Sequence, residues 1–291
     1  MTHVVCVGDL MVDIVAQLPG PLAFGSDTPA PIGIYGGGAA ANVAAWLVAA
    51  GATATFVGRI GDDSLGLRAV EELTAAGVDP IVTIDPHQAT GTCIVLVNPV
   101  GERTMVPCAG ANDAASDVEL LPADSDWLYL SGYALLNAGS RPFGLAALAA
   151  ARQPGWSIAV DAASSAPLRA AGAETFLKWV GADVLLFANG DEAEVLTGLV
   201  EPAAAAQALA LRCGAAVVKR GVQGAVWSDG SGVRSVPART TAVIDSTGAG
   251  DAFAAGFLGG VSSGSNADVD EALRLAVDLA ARAVSRVGAR P

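Results

Sequence analysis

Short apolar runs alternate along this chain with longer stretches of small, helix-forming residues, and that rhythm restricts the fold more than any other feature. Runs at 3–7, 53–57, 127–130, 157–160, 184–187 and 215–218 are rich in Val, Ile, Leu and Phe, with Ala-rich segments between them. A strand–helix alternation of this kind predicts an α/β fold: a doubly wound, mostly parallel sheet with helices on both faces. Four runs do not keep the rhythm. Residues 14–18 and 32–35 are separated by a Pro/Gly loop, and 92–98 and 102–108 form a hairpin across Val100-Gly101. They predict a small separate sheet, with strands from about 13–35 and 92–108. One domain over 1–291 is the simplest division, since no repeat, linker or low-complexity tail interrupts it.

The stretch Asp245-Ser246-Thr247-Gly248-Ala249-Gly250-Asp251 carries the chemistry. A short apolar run, Thr241-Ala242-Val243-Ile244, precedes it, and a helix of small residues follows through Leu258. Gly248 and Gly250 permit positive φ and close approach of a ligand to the main chain. The first amides of a helix lack internal partners and sit at the positive end of its dipole, so the turn predicts a phosphate site. A carboxylate there would repel the anion, which makes Asp251 a poor binder but a sensible base for a hydroxyl attacking that phosphate. The plainer alternative is a first-turn acid that satisfies helix amides.

Charge narrows the partners. Sixteen basic and twenty-nine acidic residues give a formal charge of −13, which argues against a nucleic-acid or anionic-membrane surface. The chain has two histidines, His3 and His87, too few for a His-rich metal site. Its four widely spaced cysteines form no CxxC pair and predict buried free thiols in a reducing cytoplasm. No basic stretch leads into an apolar signal segment, so a cytoplasmic protein is expected. Residues 28–58 contain no charge, yet their prolines, glycines and Asn42 divide them into a strand, a turn and a buried helix.

Several further motifs are candidate ligand contacts. Asp9 and Asp13 follow the first apolar run, where ligands gather in open α/β sheets. Gly36-Gly37-Gly38 opens a helix in which Asn42 is the lone polar residue among Ala, Val, Leu and Trp, so its amide needs partners. That turn loosely matches a dinucleotide fingerprint, but it does not follow the first strand and lacks a well-placed acidic ribose ligand. No GxxxxGK[ST] occurs, which excludes a P-loop enzyme. Asn189 and Glu192, three apart after an apolar run, would either order Mg²⁺ waters or cap their helix. Lys219 leaves another strand, placed to meet phosphate or solvent.

A Gly-Gly-x-x-x-Asn helix start, a mid-chain Asn-x-x-Glu and Asp-x-Thr-Gly-Ala-Gly-Asp, in this order, resemble the ribokinase-like (PfkB) carbohydrate kinases along essentially the whole chain. The resemblance implies ATP and Mg²⁺ as cofactors and a β-sheet lid over the acceptor site. It implies Asp251 as general base and the amides of Gly248, Ala249 and Gly250 as an anion hole. Asp13, Gly37, Gly38 and Asn42 match positions that hold acceptor hydroxyls. Asn189 and Glu192 match the Mg²⁺/phosphate motif, with Glu192 acting through water, while Lys219, Gly221 and Thr247 match positions near ATP. Asp245, Thr247, Ala283, Arg286 and Gly288 match a loop that often holds a monovalent cation such as K⁺. Ribose-specific members carry Lys where this chain has Ala39, and Asn where it has Met11. With Phe24, Tyr35 and Met105 as pocket-lining candidates, this points to another sugar, a sugar acid or a nucleoside.

The expected activity is transfer of the γ-phosphoryl group of ATP to a primary hydroxyl of such an acceptor. The alternative is a non-catalytic sugar or nucleotide sensor on the same scaffold. An exposed apolar face on the small sheet would also pair with a second copy, giving a homodimer through the lid.

Overall fold

The strands of the computed structural model, which describes residues 2–153, 155–261 and 269–291, sort into two sheets. In chain order they are β1 (His3–Val7), β2 (Met11–Gln17), β3 (Ile32–Gly37), β4 (Thr53–Gly61), β5 (Asp79–Asp85), β6 (Gly91–Val97) and β7 (Arg103–Cys108). They continue as β8 (Trp127–Ser131), β9 (Ser157–Asp161), β10 (Val184–Asn189), β11 (Gly214–Lys219), β12 (Ala225–Ser228) and β13 (Val233–Val236). The larger sheet has the order β13-β12-β11-β10-β9-β8-β1-β4-β5. It is parallel from β11 to β5, and β12 and β13 add an antiparallel edge. Strand order reverses between β1 and β8, so a crevice opens where their carboxyl ends diverge.

Both faces are buried because successive strand residues point to opposite sides. Val4 and Cys6, Phe56, and Leu185 and Phe187 pack with helices Ala39–Ala49, Ala249–Gly260 and Val269–Val284. Val5 and Val7, Val57, and Leu186 and Ala188 pack with helices Arg141–Arg152, Ala173–Val180 and Pro202–Cys213 on the other side.

The smaller sheet, in the order β3-β2-β6-β7, is the expected separate sheet. β2 and β6 are parallel, flanked by antiparallel β3 and β7. Its two faces have opposite character. Met11, Val15, Cys93, Val95 and Val97 are buried with Tyr35 and Val287 in a third apolar cluster. On the other face Ile34, Ile14, Ile94 and Val106 form one cross-strand row, and all but Ile14 are more than two-fifths exposed.

Four sequence expectations need correction. Asp13 does not sit at a strand end; it lies inside β2, paired with Tyr35 and Cys93. Phe24 is 95% exposed in the loop between β2 and β3, its ring in solvent rather than packed as a pocket wall. β5 and β13 were not expected, because half-buried and exposed edge strands lack a continuous apolar run. The sequence places a final helix from about 267 to 287; the structure has it at Val269–Val284, and positions 267 and 268 lie outside the described residues.

Candidate active site

Asp251 sits in the first turn of helix Ala249–Gly260, directly after the glycine turn. Gly248 has φ +74°, and a Cβ there would run into the backbone carbonyl of Ala289, so only glycine fits. Among the described residues the amides of Gly248, Gly250 and Asp251 have no acceptor, while Ala249 N–H reaches Ser246 O at 3.4 Å. Of the expected donors Gly248, Ala249 and Gly250, the first and last are open, and the amide of Asp251 is open beside them. A Cβ on Gly250 would lie 3.2 Å from Lys219 Nζ, so the ammonium stands directly over the turn.

Lys219 ends β11, and its Nζ donates to Asp161 Oδ2 at 2.7 Å. Burial opposes the charge on this lysine, but Asp161 and Glu192 outweigh it and hold the pKa above its usual value. Asp161 itself ends β9, and its other oxygen accepts from Ala163 N. Its place at the carboxyl end of a parallel strand was the available signal for a site residue, and the sequence reading missed it.

The Asp251 carboxylate is held on one side only. Its Oδ2 accepts from Asn42 Nδ2 at 2.8 Å, while Oδ1 has no partner among the described residues. Burial pushes Asp251 up to about 7; the Asn42 bond opposes that shift, Asp161 and Asp9 reinforce it, and Lys219 counters it. Such a carboxyl group is poised to exchange a proton near neutrality.

Asn42 accepts in turn from Arg290 Nε at 3.1 Å, and Arg290 Nη2 donates to Gly37 O at 2.7 Å. No sequence pattern marked Arg290. Asp13 faces the same space: its carboxyl lies against Gly37, where a Cβ would collide with it. It is 4% exposed and accepts no hydrogen bond among the described residues. Burial raises it to about 6, opposed by Arg290 and reinforced by Asp9 and Asp245. Gly38, at φ +92°, packs its Cα on the backbone of Asp9 and Leu10 and starts helix Ala39–Ala49. Asp9 Oδ2 caps that helix by accepting from Ala39 N at 2.8 Å, and its buried Oδ1 has no partner among the described residues. Asp9 also lines a cleft with Arg59, Asn112, Tyr133 and Asn137.

Asn189 and Glu192 form a reciprocal capping box at the start of helix Gly190–Thr197. Glu192 Oε2 accepts from Asn189 N at 2.8 Å, Oε1 accepts from Asn189 Nδ2 at 2.7 Å, and the residue is 2% exposed. Burial pushes Glu192 up to about 7, against the pull of Lys219. Both the capping role and proximity to the site are thus realised, since Asn189 pairs with Lys219 in the register of β10 and β11. Gly221, at φ +55° just beyond Lys219, faces open space.

Of the residues expected around a monovalent cation, Asp245, Thr247 and Gly288 meet one another. Asp245, 1% exposed, accepts from Thr247 N at 2.9 Å, Thr247 Oγ1 at 2.6 Å and Gly288 N at 3.0 Å. Its own N–H and that of Ile244 reach Val284 O, and Arg286 N reaches Ala283 O. The Arg286 guanidinium lies 5.9 Å from the Trp46 ring, so its side chain points to an aromatic face. Among the described residues no group of three His, Cys, Asp or Glu side chains is arranged to hold a metal ion.

A doubly wound sheet, a β-lid and a carboxylate at a glycine-rich anion turn together define a ribokinase-like phosphotransferase. The chain belongs to the pfkB family of carbohydrate kinases, whose model matches residues 1–291. It is 31% identical to the fructokinase of Escherichia coli over 290 residues, covering 95% of this chain and 90% of that one. In structure it is similar to the adenosine kinase of Sinorhizobium meliloti, with a TM-score of 0.88, 26% identity and coverage of 100% and 95% of the two chains. It is also similar to a fructokinase double mutant from Vibrio cholerae O395 in its fructose, ADP and potassium ion bound form. There the TM-score is 0.83, the identity 27%, and 99% and 94% of the chains are covered. The chain is accordingly an ATP-dependent kinase of the sugar and nucleoside class. No helix among the described residues is long and apolar enough to cross a membrane.

Proposed function

We propose that this kinase transfers the γ-phosphoryl group of ATP to a primary hydroxyl of a small sugar, sugar acid or nucleoside, with Asp251 as the general base. The observation that carries this reading is the one-sided hold on Asp251. Asn42 fixes Oδ2 and leaves Oδ1 open beside three unpaired amides and Lys219. The acceptor hydroxyl gives its proton to Asp251 Oδ1 as its oxygen bonds to the γ-phosphorus and the bond to the β-phosphate oxygen breaks, releasing ADP. The amides of Gly248, Gly250 and Asp251 stabilise the charge on the transferring group, with Lys219 above them. Asp13, carried by lid strand β2 and unpaired among the described residues, accepts from acceptor hydroxyls, and the remaining N–H of Asn42 is free to donate to one.

The residues fit nucleotide phosphates, because the amides of Gly248, Gly250 and Asp251 have no acceptor among the described residues and Lys219, paired with Asp161, stands over them. Mg²⁺ bound with ATP would neutralise phosphate charge. Both oxygens of Glu192 are engaged by Asn189, so Glu192 and Asn189 would meet that ion only through its water shell. For K⁺, the loop of Asp245, Thr247, Ala283, Arg286 and Gly288 supplies one buried carboxylate, with backbone carbonyls as the other donors.

A panel of pentoses, hexoses, sugar acids and nucleosides with ATP, read as ADP release, tests this reading. One acceptor class should give turnover far above the acceptor-free rate. Binding of an acceptor without any ADP release would instead establish the non-catalytic sensor.

A further inference from the structure

Asn42 lies between two groups that demand opposite things of its amide. Asp251 Oδ2 needs a donor and Arg290 Nε needs an acceptor, so only one orientation of the amide satisfies both. Without the guanidinium, a protonated Asp251 would accept either orientation, because its own O–H can donate to the amide oxygen. Arg290 cannot lose its proton in this pH range and so keeps that oxygen occupied in both states of Asp251.

The placement of Arg290 is built by several elements. A side chain on Gly36 would collide with Arg290 Nη1, and Nη2 is fixed to Gly37 O of β3. Just before it, Ala289 O accepts from Trp46 Nε1 at 2.8 Å, and the Ala289 backbone lies against Gly248. Gly288 N is tied to Asp245, and a Cβ on Gly288 would lie 3.1 Å from the Tyr35 ring. Residues 288–290 therefore touch the lid strand, the helix that carries Asn42 and the anion turn at once. The charged groups facing Asp251 are Asp161, Lys219 and Asp9, and those facing Arg290 are Glu72, Asp13, Asp251 and Asp9.

We infer that Arg290 is a positioning residue for phosphoryl transfer: it locks the Asn42 amide so that Nδ2 always donates to Asp251 Oδ2 and Oδ1 alone receives the acceptor proton. This rests on Asp251 as the base, but its test is independent of turnover. Removing the lock leaves the buried carboxylate without a reliable donor, so its proton is held more tightly. A guanidinium acting only as a nearby charge would be replaced by lysine; one acting through geometry would not.

The experiment is a ¹³C titration of the full, ligand-free chain with labelled aspartate carboxyls, the Asp251 signal being assigned by its loss in Asp251→Asn. Arg290→Met and Arg290→Lys should both raise the Asp251 midpoint by about one unit, the size of one lost hydrogen bond to a charged group. In an Asn42→Ala background Arg290→Met should add nothing further. The acid limb of kcat should move with the midpoint in the single variants. A wild-type midpoint in Arg290→Lys, or an equal shift from Arg290→Met with and without Asn42, would overturn the inference. Arg290→Lys keeps charge and bulk, so it carries the test if Arg290→Met does not fold. Absence of kinase activity across the acceptor panel would overturn the functional reading and leave this titration standing.

Discussion

Asn42 and Asp251, 209 residues apart in the chain, are joined by a hydrogen bond of 2.8 Å across the cleft between two helix starts. The contact explains why a lone amide survives in a helix otherwise made of Ala, Val, Leu and Trp. It also divides the labour between Asn42 and Asp13: the amide is largely spent on the base and on Arg290, while the Asp13 carboxylate has no hydrogen-bond partner among the described residues.

Asp13→Ala and Asn42→Ala should therefore separate. Asp13→Ala removes a group that only a ligand can pair, and should lower acceptor kcat/KM roughly tenfold to a hundredfold, or about 1–3 kcal/mol. Its melting temperature should not fall, because an unpaired buried carboxylate stabilises nothing. Asn42→Ala should lower both kcat and melting temperature, since it strips a partner from Asp251 and from Arg290. Steady-state kinetics and thermal unfolding of the two proteins check this. Unchanged acceptor kinetics in Asp13→Ala would place the acceptor elsewhere.

The rate should depend on pH through Asp251. The base works deprotonated, and burial holds its pKa near 7. kcat should then rise with pH through about 7 and level off above it. A kcat independent of pH from 5.5 to 8 would contradict a neutral-range base.

Stability should run the other way. Asp251, Asp13 and Glu192 have folded pKa values near 7, 6 and 7, above the values of 3.8 and 4.5 they have in an unfolded chain. Between about pH 4.5 and 7 the folded state binds more protons, so stability falls as pH rises through that window. The lowered pKa values of Asp63, Asp85 and Glu174 matter only below it. The melting temperature of the ligand-free protein should thus be higher at pH 5.5 than at pH 8, and the difference should shrink in Asp251→Asn. A melting temperature that rises steadily to pH 8 would contradict the burial of these carboxyls.

Much of this was legible because parallel-sheet strands write themselves as continuous apolar runs. β1, β8, β9 and β10 stood out for that reason, and the four strands of the lid stood out by breaking the rhythm. The edge strands β5 and β13 did not, since an exposed edge needs no apolar run. The glycine turn pointed to Asp251 through local chemistry alone. The pairing of Asp161 with Lys219, and those of Arg290 with Asn42 and Gly37, form a different class. They span 58 to 253 residues of chain, and no local pattern encodes such distances.

The row Ile34, Ile14, Ile94 and Val106 makes the outer face of the lid a candidate surface for a second copy of the chain. Sedimentation at micromolar concentration should show a dimer, and Ile94→Lys should convert it to monomer with the fold intact. A wild-type protein that sediments only as monomer would refute the dimer and leave the lid unaffected.

Asp251→Asn gives the most direct test of the central claim. Asparagine keeps the size of the side chain and removes its capacity to take a proton. With the acceptor identified by the panel, kcat should fall by at least the roughly 10²–10⁴ that general-base catalysis supplies, while ATP affinity changes little because the open amides and Lys219 remain. A variant that keeps more than about a tenth of the wild-type kcat would show that Asp251 is not the base.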